Sequence, residues 1–274
     1  MNLAIWKKAI SEAWVSLVTC SALLLGFSWL FVWLMSLMKI GAWASLLKLM
    51  PSFVQPMLGL PLADLATPAG QLSIVYQHLV TLLISVGWAV GRGSASISGE
   101  IGRGTMDLIL SLPVWRATVV VVPAVVAIVG AAILAASVLA GLWVGLSSVS
   151  MPGVPSAWQF LPGSINLFCM IFCLIGITTF VSSWNRDRWR TIALAMGVYI
   201  VSVIIKMVGR LWPEGAWLEY CTFLTAYRPQ RLILMPDETG LLAWRCNLTL
   251  IGLGLVCYAA AAIVLTYRDI PAAK

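Results

Sequence analysis

Residues 117–185 read ATVVVVPAVVAIVGAAILAASVLAGLWVGLSSVSMPGVPSAWQFLPGSINLFCMIFCLIGITTFVSSWN, without one charged side chain. A membrane crossing needs about 20 predominantly apolar residues, so this run is long enough for two. Met151-Pro152-Gly153-Val154-Pro155 supplies the break between them, because proline lacks the helix donor and glycine admits a tight turn. The segment therefore reads as two membrane-spanning helices joined by a short connection.

The rest of the chain follows the same logic. Residues 13–38 are also uncharged and too long for the apolar region of a signal peptide, typically ~7–15 residues, so they read as a retained anchor. Six spans are expected, near 15–38, 71–92, 118–149, 163–184, 191–212 and 246–267. The 274 residues are 61% hydrophobic and 10% charged, against roughly 45–50% and about 25% in soluble domains. The fold class is thus an all-α integral membrane domain, residues 1–274, with lipid as its main solvent.

Charge sets the expected orientation. The net charge of +7 would suggest nucleic acid in a soluble protein, but here it reads as the excess of Lys and Arg in cytoplasmic loops. With the N-terminus inside, ten basic and five acidic residues fall on the cytoplasmic side, against seven and five outside. Arg186, Arg188 and Arg190, in a very short connection, weigh most. Both termini are expected inside, in the cytoplasmic (inner) membrane.

Two flanking segments are amphipathic. Residues 2–14 place Leu3, Trp6, Ile10, Ala13 and Trp14 on one helical face, with Lys8, Ser11 and Glu12 opposite. An interfacial helix carrying Trp6, Lys7, Lys8, Ile10 and Trp14 is expected there. Residues 213–245 mix apolar stretches with Pro213, Pro229 and Pro236, a pattern for short helices dipping into the outer interface.

Isolated polar residues read mostly as structural. His78, the single histidine, has no carboxylate in spans one to four to form a relay, so a hydrogen-bonded role is preferred. Lys206 and Arg210 are expected to snorkel to the headgroups from the outer end of span five. Gly87-x-x-x-Gly91 and Gly141-x-x-x-Gly145 are weak helix-packing signals. Pro123 reads as a static kink. The six cysteines include no C-x-x-C pair; a Cys221–Cys246 disulfide is open, with two free thiols preferred. No metal-ligand cluster and no G-x-x-x-x-G-K-[ST] phosphate loop occurs, and no catalytic residues are expected.

The loop between spans two and three is informative. It runs Ser98-Gly99-Glu100-Ile101-Gly102-Arg103-Gly104-Thr105-Met106-Asp107-Leu108-Ile109-Leu110-Ser111-Leu112-Pro113-Val114-Trp115-Arg116. Thr105, Leu108 and Leu112 recur at helical spacing, and Pro113 sets the boundary to the next span. A cytoplasmic helix clamped between two spans is a lever.

This stretch resembles the coupling loop of ABC-2 type permeases, the membrane subunits of ATP-binding-cassette exporters. Glu100, Gly104, Thr105, Asp107, Leu110, Ser111, Pro113, Val114 and Arg116 match that family's pattern. Gly102 and Trp115 depart from it, where a charged and a small polar residue are usual, which affects how the helix would seat on a partner. The six-span architecture and the tail Tyr267-Arg268-Asp269-Ile270-Pro271 are similar to the family as well.

The resemblance implies that a separate ATPase subunit, carrying ATP and Mg, grips the 98–116 segment. Its contact residues would be Glu100, Ile101, Gly104, Thr105, Met106, Asp107, Leu108, Ser111 and Arg116. It also implies a dimer with a second permease copy or paralogue. No cofactor is expected on this chain, and no nucleic acid partner. An ion-coupled secondary carrier is the alternative, but it normally needs ionisable groups at mid-membrane, and these spans are nearly bare of them. A membrane-embedded enzyme would need clustered His, Asp or Cys near the interface. Sparse charge in the spans points to apolar or amphiphilic cargo.

Overall fold

A computed structural model describes residues 3–38, 40–49, 51, 59–106, 116–149, 153, 155–235 and 239–267. Among them the chain is helical throughout, with no strand. The α-helices are α1 (Leu3–Ser36), α2 (Ile40–Lys48), α3 (Leu62–Leu65), α4 (Pro68–Ser73), α5 (Leu79–Ser96), α6 (Ser98–Gly102), α7 (Arg116–Ser148), α8 (Leu161–Trp184), α9 (Arg188–Leu211), α10 (Pro229–Leu234) and α11 (Thr239–Tyr267). Six units are long and apolar enough to cross a membrane: α1, α4 with α5, α7, α8 with the turn before it, α9 and α11. The tail after Tyr267 lies outside the described residues.

Helix α8 is the centre of the bundle. Its most apolar window is 72% buried, against 17–22% for α1, α9 and α11. Small residues let neighbours approach it closely: a Cβ added to Gly176 would lie 2.7 Å from the Gly254 carbonyl of α11. The outer helices instead turn Leu, Val, Ile and Trp side chains away from the protein, which in water would be a prohibitive apolar surface and in lipid is none. Exposed tryptophans gather at the two ends. Trp184 and Trp189 flank the α8–α9 connection, and Trp158, Trp212, Trp217 and Trp244 mark the far end, as interfacial aromatic belts do.

The amphipathic residues 3–14 and the first span form one unbroken helix of 34 residues. At 1.5 Å per residue α1 is about 51 Å long, well beyond the ~30 Å hydrocarbon, so its first turns project past it. Ile5, Ala9 and Ala13 face the protein, while Leu3, Ile10 and Trp14 stay exposed. Of the two small-residue pairs, one packs: Cβ atoms on Gly141 and Gly145 would meet the Leu25 carbonyl at 2.4 Å and Val32 at 2.7 Å, on α1. Gly87 and Gly91 face open space. Helix α7 continues through Pro123.

Span two is discontinuous. Helix α4 tightens into a 3₁₀ turn at Ile74–Tyr76, and α5 begins anew at Leu79. His78 sits at the break as N-cap, its Nδ1 accepting from the Val80 N–H at 3.3 Å and its ring 4.8 Å from that of Phe27. The Tyr227 hydroxyl donates to the Tyr76 carbonyl that the break frees. Buried backbone groups in lipid demand such partners. After α9 the chain folds through 3₁₀ turns Pro213–Cys221 and Phe223–Ala226 into α10. Cys221 and Cys246 are free thiols.

Candidate functional site

The loop after span two is held by three separate ties. The first is a joint at Ile97, whose backbone (φ −125°, ψ −64°) ends α5 and starts α6 in a new direction. Ser98 anchors that joint: its N–H donates to Ser182 Oγ of α8 at 2.8 Å, and Thr191 Oγ1 of α9 donates to its hydroxyl at 2.9 Å. All three residues are fully buried, so this small polar network is shielded from competing water.

The second tie is Glu100. Its carboxylate receives Lys8 Nζ from α1, the Arg103 guanidinium and the Thr105 hydroxyl, the last at 2.5 Å. Arg103 also reaches Glu12 at 3.5 Å, and Lys8 lies 4.0 Å from Glu12. Burial alone would push the Glu100 carboxyl up. Hydrogen bonds from Lys8 and Thr105, with the charges of Arg103 and Lys8, more than offset that and hold it below the usual carboxylate range.

The third tie is Met106, buried with Ile97, Val119 and Val120 of α7, and Ala261 and Leu265 of α11. Between Glu100 and Met106 the chain must reverse, and Gly104 does this at φ +69°. The Thr105 N–H bonds the Glu100 carbonyl at 3.1 Å and the Gly104 N–H that of Ile101 at 3.0 Å. That pair of bonds is the Schellman cap, which wants glycine at its left-handed position. The Gly-Thr dipeptide thus has a physical reason: glycine makes the turn and threonine closes on the carboxylate.

These contacts place the sequence-derived candidates unequally. Glu100 and Met106 point into the chain, Ile101 and Thr105 are half-buried, and Gly102, Arg103 and Gly104 are exposed. Asp107, Leu108 and Ser111 lie outside the described residues, as does the side chain of Arg116, whose backbone opens α7. On α1, Lys8 joins the site, Trp6 packs half-buried beside Ile5, Ala9 and Val122, and Lys7, Ile10 and Trp14 are exposed. Sequence reasoning missed the partners. Arg92 Nη1 donates to the Glu12 carbonyl at 3.2 Å, and Arg188 Nη2 to the Gly91 carbonyl at 3.4 Å. Those arginines counted only towards orientation in the sequence. With Arg103, Glu12, Gly87 and Gly91 they line an open groove of about 370 Å³.

A second polar cluster lies at the other end of the bundle, and it corrects the snorkelling expected of Lys206 and Arg210. Lys206 turns inward, donating to the Leu224 and Tyr227 carbonyls at 2.6 and 2.9 Å. Arg210 Nε meets Glu219 at 3.4 Å, and Arg228 Nη2 meets the same carboxylate oxygen at 3.0 Å. The reason is the 213–235 segment, which packs against the end of α9 and offers Lys206 two carbonyls within hydrogen-bond reach.

Six apolar spans, with α8 buried among the others and a polar loop tied down at one end, define a multi-pass membrane protein. The chain belongs to the ABC-2 family of transporter proteins, whose family model matches residues 21–268. It is therefore an ABC transporter permease. No curated protein matches it.

Proposed function

We propose that this chain is the permease subunit of an ATP-driven exporter, with a separate ATPase subunit seated on residues 98–116. The observation that carries the reading is the triple tie of the loop. Ser98 connects it to α8 and α9, Glu100 to α1, and Met106 to α7 and α11. A push delivered to this one short segment would reach all six spans, since α5 leads directly into it.

Buried Glu100 and Met106 would act by holding the loop's shape, while Gly102, Arg103 and Gly104 would meet the partner. Asp107, Leu108, Ser111 and Arg116 carry the rest of the contact in this reading. ATP and Mg belong to the ATPase, and two permeases would pair so that a pathway opens along their seam. Both termini would face the cytoplasm, with the N-terminal end of the bundle at the inner face of the cytoplasmic membrane.

The test is cross-linking in native membrane from Gly102→Cys, an exposed position where an added Cβ would meet nothing nearer than 3.8 Å. The expected product is a conjugate with a soluble subunit bearing a Gly-Lys-Ser/Thr phosphate loop. A chain that purifies alone from mild detergent, with no conjugate formed, would overturn the reading.

A further inference from the structure

The groove beside the loop runs from a charged layer into an apolar one. Glu12, Ser16 and Cys20 of α1 form one wall, covering about 12 Å of that helix at 1.5 Å per residue. Its floor is the face of α5 that carries Gly87 and Gly91, where an added Cβ would meet nothing within 4 Å at either position. Arg92, Arg103 and Arg188 stand at its charged end. The result is an open trough of about 370 Å³, with a cationic head and a stem that side chains leave empty.

The three arginines are not equivalent. Arg103 is matched by Glu100 and by Glu12 at 3.5 Å. Arg92 and Arg188 make no ion pair, and every hydrogen bond they form goes to a neutral acceptor on a described residue. Arg92 gives one bond to the Glu12 main-chain carbonyl, and its guanidinium lies 5.9 Å from the centre of the Trp88 ring. Its Nε is buried without an acceptor among the described residues. Arg188 reaches the same turn of α5 through long bonds alone, from Nε to Ser94 Oγ at 3.5 Å and from Nη2 to the Gly91 carbonyl at 3.4 Å. A guanidinium carries five donors, so most of both forks is unused by the protein. Asp187, the acid beside Arg188 in sequence, turns instead to Arg190 at 3.9 Å and to the Trp189 N–H at 2.9 Å.

Charge and depth identify the occupant. Two guanidinium groups at one helical turn repel each other unless an anion joins them, and their planar forks match phosphate oxygens. Helix α5 is about 27 Å long, and Arg92 stands about 6 Å before its end at Ser96. That length is close to the ~30 Å hydrocarbon thickness, so the pair sits near headgroup depth. Exposed Trp14, Trp184 and Trp189 lie at the same end of the bundle, where an aromatic belt meets the headgroups. A soluble anion would use the head alone. The glycine face below it suits an acyl chain, whose methylenes gain contact where side chains leave space.

We propose that this groove binds a phosphate-headed anionic membrane lipid. Its phosphate lies between Arg92 and Arg188, and one acyl chain runs over Gly87 and Gly91 alongside Ser16 and Cys20. The site needs neither an ATPase nor a second permease, so it stands or falls separately from the exporter reading.

The test uses the full purified chain in phosphatidylcholine nanodiscs doped with phosphatidylglycerol of the same chains, read by native mass spectrometry. The expected result is retention of phosphatidylglycerol over phosphatidylcholine by about tenfold, as charge-assisted forks provide. Arg92→Gln with Arg188→Gln is expected to remove the preference. Because both arginines also brace α5 against its neighbours, a second variant fills the stem instead. Gly87→Leu with Gly91→Leu adds Cβ atoms that meet nothing. It is expected to lose the lipid with the thermal midpoint unchanged or raised, since leucine favours a helix over glycine. Equal retention of both lipids by the wild type overturns the proposal, as does unchanged retention in the double leucine variant. Glycerol phosphate held as tightly as the lipid overturns it in favour of a soluble-anion site. A wild-type particle holding a second copy in place of the lipid, and split by the leucine pair, overturns it in favour of a permease contact on this face.

Discussion

The two polar ends of this molecule use the same residue types in opposite ways. At the N-terminal end Lys8 and Arg103 both meet the carboxylates of Glu12 and Glu100, while Arg92 bonds the Glu12 backbone carbonyl. At the far end Lys206, Arg210, Arg228 and Arg231 surround Glu219 and an open chamber. The two carboxylates of the first cluster each tie Lys8 to Arg103, so they lock elements together, beside an open groove of about 370 Å³ lined by Arg92 and Arg188. In the second, Arg210 and Arg228 share the single carboxylate oxygen of Glu219, and Lys206 is held by backbone carbonyls instead. What the lysines find as acceptors, side-chain carboxylates at one end and backbone carbonyls at the other, separates the two.

Breaking the clamp at its centre has the largest expected effect. Glu100→Ala leaves Lys8 and Arg103 without their shared carboxylate in a site where the Glu100 side chain is 8% exposed. Lys8 and Arg103 stay partly solvated and keep Glu12, so the loss is that of hydrogen bonds to a charged group, about 1.5–3 kcal/mol, to be read as a lowered unfolding midpoint in neutral detergent. Next comes Gly209→Val at the far end, where the 2.7 Å approach of the Glu219 backbone leaves no room. Overpacking of this kind costs about 1–3 kcal/mol. Its signature is a lowered unfolding midpoint and a 213–221 segment opened to protease, with the loop at the N-terminal end still protected.

Gly104→Ala tests the turn that makes the clamp. A non-glycine residue at φ +69° pays about 1–2 kcal/mol, read as the same midpoint shift, and cross-linking from Gly102→Cys should weaken with it. Acid sharpens the contrast further. The Glu100 carboxyl is held below its usual range in the fold, so its contribution is present above the ordinary Glu value of about 4.3 and is lost as pH falls through the folded value. Glu100→Gln should remove that acid-dependent loss from the unfolding profile. The smallest effect belongs to the exposed pair Asp187–Arg190, at 3.9 Å with side chains 51% and 81% exposed. Arg190→Ala should change stability by less than about 0.5 kcal/mol, and a larger change would mean that this connection is covered by a partner.

Much of this was legible in the chain. Uncharged runs such as 117–185 announce spans because lipid tolerates little else, and the Glu100, Gly104 and Thr105 spacing marked the loop. His78 was read as structural, and it is a helix cap. Lys206 and Arg210 were not legible, because snorkelling and inward capture look identical in one dimension. The break in span two was equally hidden, since residues 71–92 are apolar enough to be one helix, and the donor that satisfies the Tyr76 carbonyl at the break, the Tyr227 hydroxyl, lies far along the chain.

The sequence by itself determined that this is a six-span helical membrane protein and where its polar loop lies, because those properties follow from local composition and spacing. Only the tertiary structure decided which charges close on one another and which line a cavity. That outcome depends on residues brought together from distant elements, such as Lys8 with Glu100 and Glu219 with Arg228, and on the small distances at which an ion pair gains or loses its worth.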